Sequence, residues 1–597
     1  MTAKFKHAPV NGNLTEQDRS RLAALSVTTI IMLSSLPMLL SYIPYFPGHD
    51  TIFHLFRIDG IARGLAEGQF PVMLQSTQIE GYGYPVSICY GDLFLYLPAL
   101  LRLLGLSMHA AYAIFIFVAN GLCATLTYVV FKRIFGKRQM GVLACALWTL
   151  SPYRLAIDTY LRSSVGEFIS LCLFPAILYG IYSMVWYRSS GASKNGWIWC
   201  ALGVSGVIYS HILSVLMGII TFLPVLLFEL IQKRDLAILR NVLFAVIATL
   251  GLSLAFAVPF LDFYSSVEMK VNTQDAPFKQ ALASANALQP AQLFELFPQV
   301  AKGSVAGNTL DEMPYGIGWA LLSAIPLWGA AVALTPARTR DSKRTCLLGS
   351  LMLAQIILMM WATTVYFPWS LDSNPILQNL IALLSTVQFP WRFVGPISFL
   401  LLLLLCLALT RINISPIKPT TMFIAIGVIA LALAECGFGL SSFLNHSQAL
   451  TEDYASYDAT YGVMNGEYLP KGVDIARVIE RRGGEIDPAP GINATSEADN
   501  TVTSFTMYVE NRGKEGNVTI PLIQYPHYHA KTDAGAELSV TASGDGLIQV
   551  ALPEGYSGAI NVTFIPPIMW RVAETISLLT LIGIIFHIAF GNKRCAA

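Results

Sequence analysis

The stretch "YFPGHDTIFHLFRIDGIARG", Tyr45 to Gly64, carries His49, Asp50, His54, Arg57, Asp59 and Arg63 directly after an apolar run. On a helix, Asp50, His54 and Arg57 stand at i, i+4 and i+7 and share one face, while Asp59 and Arg63 pair on another. A carboxylate, an imidazole and a guanidinium presented together offer a base, an orienting group and an anion holder. The same residues also fit an ordinary helix start, with Asp50 as N-cap and Arg57 reaching toward lipid headgroups.

Three further stretches place comparable chemistry beside apolar runs. "SPYRLAIDTYLRSSVGEF" holds Arg154, Asp158, Arg162 and Glu167, the last at the top of the following apolar segment. An ionisable group there is a functional candidate by default. "VIYSHILS" sets His211 between two apolar runs, and "STVQFPWRFVGP" sets Gln388, Trp391 and Arg392 just before another. A guanidinium among aromatics suits a phosphate or pyrophosphate carried on lipid. Each has a plain structural alternative: an Arg162–Glu167 surface pair, a histidine satisfied by a backbone carbonyl, and aromatic anchoring at the interface.

These groups need elements to hold them at one depth. The chain has 597 residues, 54% apolar and only 13% charged, with a net charge of +1. Soluble domains carry about 25% charged residues, so much of this chain faces something other than water, and no strong field points to nucleic acid. A spanning helix needs about 20 apolar residues. Twelve segments qualify, near 23–46, 109–131, 139–156, 166–186, 196–211, 213–231, 237–260, 316–335, 345–366, 393–410, 420–441 and 567–590. The first is too long for a signal-peptide core and reads as a retained helix. Alternate connections carry Lys132, Arg133, Lys137 and Arg138; Arg188 and Lys194; Lys233, Arg234 and Arg240; Arg338, Arg340, Lys343 and Arg344; Arg411 and Lys418; Lys593 and Arg594. All fall on the side of the N-terminal Lys4, Lys6, Arg19 and Arg21, which is therefore the cytoplasm. The four chemical stretches then share the opposite, outer face.

The outer face also receives the long connections 47–108, 157–165, 261–315, 367–392 and 442–566. "GDLFLYLPALLRLLG", Gly91 to Gly105, is short, contains Pro98 and reads as an interfacial helix. In 442–566, "TVTSFTMYVE", "GNVTIPLIQY", "GLIQVAL" and "GAINVTFI" alternate apolar and polar residues between turn signals, as strands do. The expected architecture is thus a polytopic helical membrane domain over 1–441, a small β-sandwich over 442–566, and a final span with a cytoplasmic tail over 567–597. The nine cysteines are scattered, show no metal-ligand spacing, and are absent from the β-rich region, so no disulfide framework holds it.

The order of "GHDTIFHLFRI", "YLRSSVGE", "SHI", "QFPWRF", "EYLP" (Glu467 to Pro470) and "PLIQYP" (Pro521 to Pro526) resembles a bacterial membrane-protein family labelled 6-pyruvoyl-tetrahydropterin synthase-related and akin to YfhO-type proteins. An acid after the first span, many spans and a C-terminal outer β-domain are similar to the GT-C superfamily of membrane glycosyltransferases. The zinc-ligand set of the soluble pterin synthases has no counterpart here. The resemblance implies transfer of a sugar from a polyprenyl-phosphate-linked donor to a cell-envelope glycan or lipid acceptor, on the outer face of the bacterial plasma membrane. It gives Asp50, by position, the role of catalytic base. His54 and Glu167 join it as catalytic candidates, and His49, Arg57, Asp158, Arg162, His211, Gln388, Trp391 and Arg392 as holders of sugar or lipid phosphate. Many relatives carry two adjacent acids, and here the neighbour is His49. A divalent metal, magnesium or manganese, therefore stays open, with Asp50, Glu167 and His211 as the side chains to hold it. The donor arrives activated on lipid, and the chain accordingly has neither a Gly-rich phosphate loop nor a D-x-D motif.

Two other functions fit the same organisation. A flippase or transporter of lipid-linked sugars needs ionisable residues deep in the spans, which the segments above nearly lack. A non-catalytic envelope assembly protein would work through the β-domain alone.

Overall fold

The computed structural model describes residues 15–40, 48–190, 195–296, 313, 315–370, 375–412, 418–446, 463, 466–480 and 485–591. The end of the first expected span (41–46), and Lys4, Lys6, Lys194, Lys593 and Arg594 of the orientation argument, lie outside the described residues.

The chain is a multi-pass helical protein with a C-terminal β-domain. All twelve expected segments fall on helices. Among the described residues nine are long and apolar enough to cross a membrane alone, and a tenth span forms if Arg138–Thr149 and Tyr153–Leu161, bent by 40°, count as one. The bend falls at Pro152, whose ring and missing N–H break the ladder, and the chain resumes as a widened π-helix. Gly196–Ile208 and Trp319–Leu334 are shorter apolar helices, which is why the count falls below twelve.

Two spans form the centre. Val165–Trp186 is 94% buried and Pro390–Ile412 is 89% buried, whereas the other spans are 17–50% buried. A helix apolar on every side is packed on every side, and the run Ile397–Leu409 meets that description. Glu167 stands at the N-terminal end of one central span and Arg392 at the N-terminal end of the other. The spans are not free of acids. Glu435, 1% exposed within Lys418–His446, accepts hydrogen bonds from the backbone N–H groups of Trp319 and Ala320. It thereby satisfies a helix start that would otherwise be orphaned.

The β-domain has nine strands: β1 Asp487–Pro488, β2 Ile492–Ser496, β3 Ser504–Asn511, β4 Gly516–Ile523, β5 Tyr528–Thr532, β6 Glu537–Leu538, β7 Val540–Ala542, β8 Leu547–Leu552 and β9 Ser557–Phe564. They form two antiparallel sheets in the orders β1-β4-β8-β7 and β2-β3-β9-β5-β6. β3 alternates buried and exposed side chains as a half-covered strand should. In β4 the register shifts between Thr519 and Ile523, and Pro521 sits in that irregularity, where its missing N–H costs no ladder bond.

This domain is not a bead on a tether. One apolar core joins Phe53, Tyr82 and Tyr84 of the connection after the first span, Phe263 at the end of a span, and the inner faces of the strands. Backbone bonds add to it: Ile523 donates to Tyr82 O at 2.9 Å, and Lys270 to Leu469 O at 2.9 Å. The carboxylate of Asp262 receives Trp570 Nε1 at 2.9 Å and lies 3.1 Å from His527 Nε2, tying the last span to the domain.

Candidate active site

A cavity of about 960 Å³ opens where the segment that follows the first span, the N-terminal ends of the central spans and the β-domain side meet. His49, Asp50, His54, Arg162, His211, Gln388, Trp391 and Arg392 all line it. Residues from four separate stretches of sequence therefore share one space. Glu167, Asp158 and Arg57 do not line it and are placed behind its wall.

Asp50 is held by the backbone. Gly48 packs so closely on the stretch Tyr160 to Ser163 that a Cβ there would lie 2.4 Å from Tyr160 O and 2.3 Å from Ser163 Oγ. The following amides then bridge the loops, His49 N to Leu161 O at 3.0 Å and Asp50 N to Arg162 O at 2.8 Å. Ser163 takes a left-handed conformation, φ +53, a strained state found where surrounding structure over-determines the chain. Asp50 stands at the N-cap position of the helix Thr51–Ala66, yet its side chain makes no capping bond. Among the described residues its carboxylate accepts no hydrogen bond at all. Burial pushes its pKa above the ordinary aspartate value, with Arg162 and Arg392 pulling the other way. Gly48→Ala should thus pry the loops apart. Since about 1 Å of misplacement costs on the order of a hundredfold in rate, we expect activity to fall by about that factor while membrane abundance holds, as an assay beside an immunoblot would read.

Behind Asp50 lies a closed ion network. Arg162 Nη1 donates to Asp158 Oδ1 and to Glu167 Oε2, each at 2.9 Å, and its guanidinium sits 4.4 Å from the Trp391 ring centre. Arg392 Nε lies 3.2 Å from Glu167 Oε2, and its Nη1 donates to Val387 O at 2.8 Å. Tyr153 donates to Glu167 Oε1 at 2.7 Å. Both Glu167 oxygens are thus engaged, and since Glu167 does not line the cavity its part is to fix two guanidiniums. Arg392 Nη2 has no hydrogen bond among the described residues and remains available to an anion.

Of the histidines lining the cavity, His54 and His211 are neutral near neutral pH. His211 caps the span Ile212–Lys233 by position and keeps Nδ1 2.8 Å from Ser214 Oγ. Burial, and then the charge of Arg392, push its pKa down to about 3. His54 faces Arg57 Nη1 across 3.2 Å. A guanidinium only donates, so Nδ1 accepts and the ring proton sits on Nε2. Burial and then Arg57 hold His54 well below its ordinary pKa.

Arg57 departs from the expected arrangement. Its helix does not lie open on the membrane: thirteen of its sixteen residues are buried. Arg57 pairs with Asp92, donates to Tyr90 O and Gly91 O at 3.2 and 3.0 Å, and stacks 4.1 Å from the Tyr90 ring centre. It holds the first loop together and neither snorkels nor faces the cavity. Asp59 pairs with Arg63 at 3.1 Å, as helical spacing suggested.

Several lining residues carried no role in the sequence reading: Glu467 and Tyr468 of "EYLP", and Asn272, Gln274 and Lys279 of the 261–315 connection. The only signal for the first two was the motif itself. Among the described residues no group of three or more His, Cys, Asp or Glu is placed to hold a metal, so Asp50, Glu167 and His211 do not form such a set.

No family model matches the chain. A protein of Lactococcus lactis subsp. cremoris (strain MG1363), described as uncharacterized, is 24% identical over 239 residues, 39% of this chain and 38% of that one. The chain therefore spans well under two thirds of that relative's length. Among solved structures, similarity extends to the mycobacterial arabinofuranosyltransferase AftD (TM-score 0.42, 15% identity, 71% of this chain and 27% of that one). It extends also to ArnT from Cupriavidus metallidurans bound to undecaprenyl phosphate (0.39, 16%, 79% and 73%), and to the Archaeoglobus fulgidus oligosaccharyltransferase (0.32, 12%, 74% and 57%). All three scores lie below 0.5, so the functional reading rests on this chain's own residues.

Proposed function

We propose that the chain is a membrane glycosyltransferase of the bacterial plasma membrane, moving a sugar from a polyprenyl-phosphate donor to an envelope glycan or lipid acceptor on the extracytoplasmic face. One observation carries this: an acid free of structural duty, Asp50, shares a cavity with Arg392 while every carboxylate behind it is tied to an arginine. Direct displacement at an anomeric carbon needs both a proton acceptor and a site for the departing phosphate. Asp50 takes the proton of the acceptor hydroxyl as that oxygen bonds the sugar. The bond between sugar and lipid phosphate breaks, and its electron pair stays on phosphate oxygen, next to Arg392 and the Arg162–Trp391 stack. His211 and His54, neutral, contribute hydrogen bonds without adding charge. A divalent metal in this cavity would take its carboxylate ligands from Asp50 or Glu467, the acids that line it, because Glu167 lies behind the wall and is tied to arginine.

Deleting the gene should remove one sugar from the envelope glycan and enlarge the lipid-linked sugar pool. An unchanged glycan would refute the proposal. Asp50 is effective only when ionised, and burial raises its pKa. The rate should therefore decline on acidification at a pH above that expected for an ordinary aspartate, about 3.9. A pH profile of transfer in membrane vesicles reads this directly.

A further inference from the structure

We infer that Glu467, with Tyr468 and Gln274, forms a carbohydrate subsite at the β-domain side of the cavity, recognising hydroxyls of the acceptor sugar. The inference rests on the proposed glycosyl transfer.

The subsite is built by two strands of chain that clasp each other. Met269 and Pro470 pair antiparallel. Lys270 N donates to Leu469 O at 2.9 Å and Val271 N to Glu467 O at 3.0 Å. On the far side, Lys471 N donates to Glu268 O at 2.8 Å, and Lys471 Nζ reaches Glu268 Oε1 at 2.9 Å. Leu469 is fully buried and anchors the turn. The clasp fixes the backbone of residues 467–471 by main-chain bonds, so the side chain of Glu467 is not needed to hold it.

That side chain instead lines the cavity, half-buried, and among the described residues it has no hydrogen bond and no ion pair. The acids behind the wall, Asp158, Glu167 and Asp92, are each paired with an arginine. Asp50 and Glu467 are thus the two open carboxylates of the cavity. Burial raises the pKa of Glu467 and Arg392 opposes it, in keeping with a group turned into a partly dehydrated space. A second observation comes from the facing segment. Gln274 lines the same cavity, and its Oε1 is buried without a hydrogen-bond partner. A buried polar atom left unpaired is costly, and a ligand donor satisfies it. Tyr468 lines the cavity beside Glu467, its ring centre 6.0 Å from that of Tyr84.

Two acceptor groups and an aromatic face suit a sugar. A carboxylate accepts from hydroxyls, an amide both accepts and donates, and a ring covers the apolar C–H face. A site built to hydrogen-bond hydroxyls discriminates strongly against ligands that lack them. Carboxylates repel phosphate, so the donor phosphate is assigned to the guanidiniums of Arg392 and Arg162 and the acceptor hydroxyls to Glu467.

The experiment uses the full chain in a deletion strain restored with wild type, D50N, E467Q or Gln274→Ala. Its readouts are glycan sugar content, and the affinity of each purified variant for undecaprenyl phosphate. E467Q should cut incorporation by about ten- to a hundredfold, the worth of a hydrogen bond to a charged group, with undecaprenyl phosphate affinity within about twofold of wild type. E467Q with wild-type incorporation overturns the subsite. E467Q that loses undecaprenyl phosphate binding together with transfer also overturns it, since Glu467 would then serve the donor. If E467Q does not accumulate, Gln274→Ala carries the same readouts and the same criteria. D50N with full activity would instead sink the glycosyl-transfer reading itself, a result separable from either outcome at Glu467.

Discussion

Replacing Asp50 by Asn is expected to abolish transfer and leave the protein at least as stable as before. The rate should fall by about 10²–10⁴-fold, the usual contribution of a positioned general base. The stability expectation follows from the sign of the pKa shift. The folded-state value is raised above the ordinary 3.8 by burial, so the folded protein holds this proton more tightly than the unfolded chain. Ionisation then costs stability as pH rises above the unfolded value, and the cost grows until the folded-state value is passed. Asn carries no charge and removes it. The thermal midpoint of D50N in detergent should equal or exceed that of wild type at pH 7, and the difference should vanish on acidification. A clearly lower midpoint would mean that the carboxylate has a structural role.

Arg162→Met should do the opposite, damaging the fold more than any other single change in the site. Arg162 is 5% exposed and donates to both Asp158 and Glu167. Without it, Asp158 keeps no cation among its direct contacts, and Glu167 retains only Arg392 and Tyr153. Removing one partner of a buried pair costs about 3–5 kcal/mol, because the other charge stays behind. The variant should accumulate poorly or unfold at much lower temperature. Adding Asp158→Asn should recover part of the loss, since the stranded charge is then gone; the double-mutant cycle measures the coupling. Equal stability of single and double variants would contradict the network described above.

Asp50 and Arg162 also mark how much could be read without coordinates. Runs of about twenty apolar residues located the membrane-spanning helices, because a membrane leaves a long trace, but they overcounted where Gly196–Ile208 and Trp319–Leu334 are short and passed over the apolar helix Pro375–Ser385. The alternation in "TVTSFTMYVE" located β3 for a similar reason. Roles inside the site were harder. Arg57 looked like a phosphate holder because helical spacing reports only neighbours three or four residues away; its real partner, Asp92, lies across a loop. Glu167 and Arg392 stand more than two hundred positions apart, and only the packing of two central spans brings them to 3.2 Å. Glu467 was visible as a motif and silent as chemistry. Nothing local reveals that a backbone clasp with residues 269–271 turns it into the cavity.

The most direct measurement is the turnover of the native polyprenyl-phosphate-linked sugar in vesicles from the deletion strain, carrying wild-type or D50N protein at equal abundance. The account predicts that wild-type vesicles convert the lipid-linked sugar to glycan and free polyprenyl phosphate, and that D50N vesicles retain it. Equal conversion by both would contradict the account.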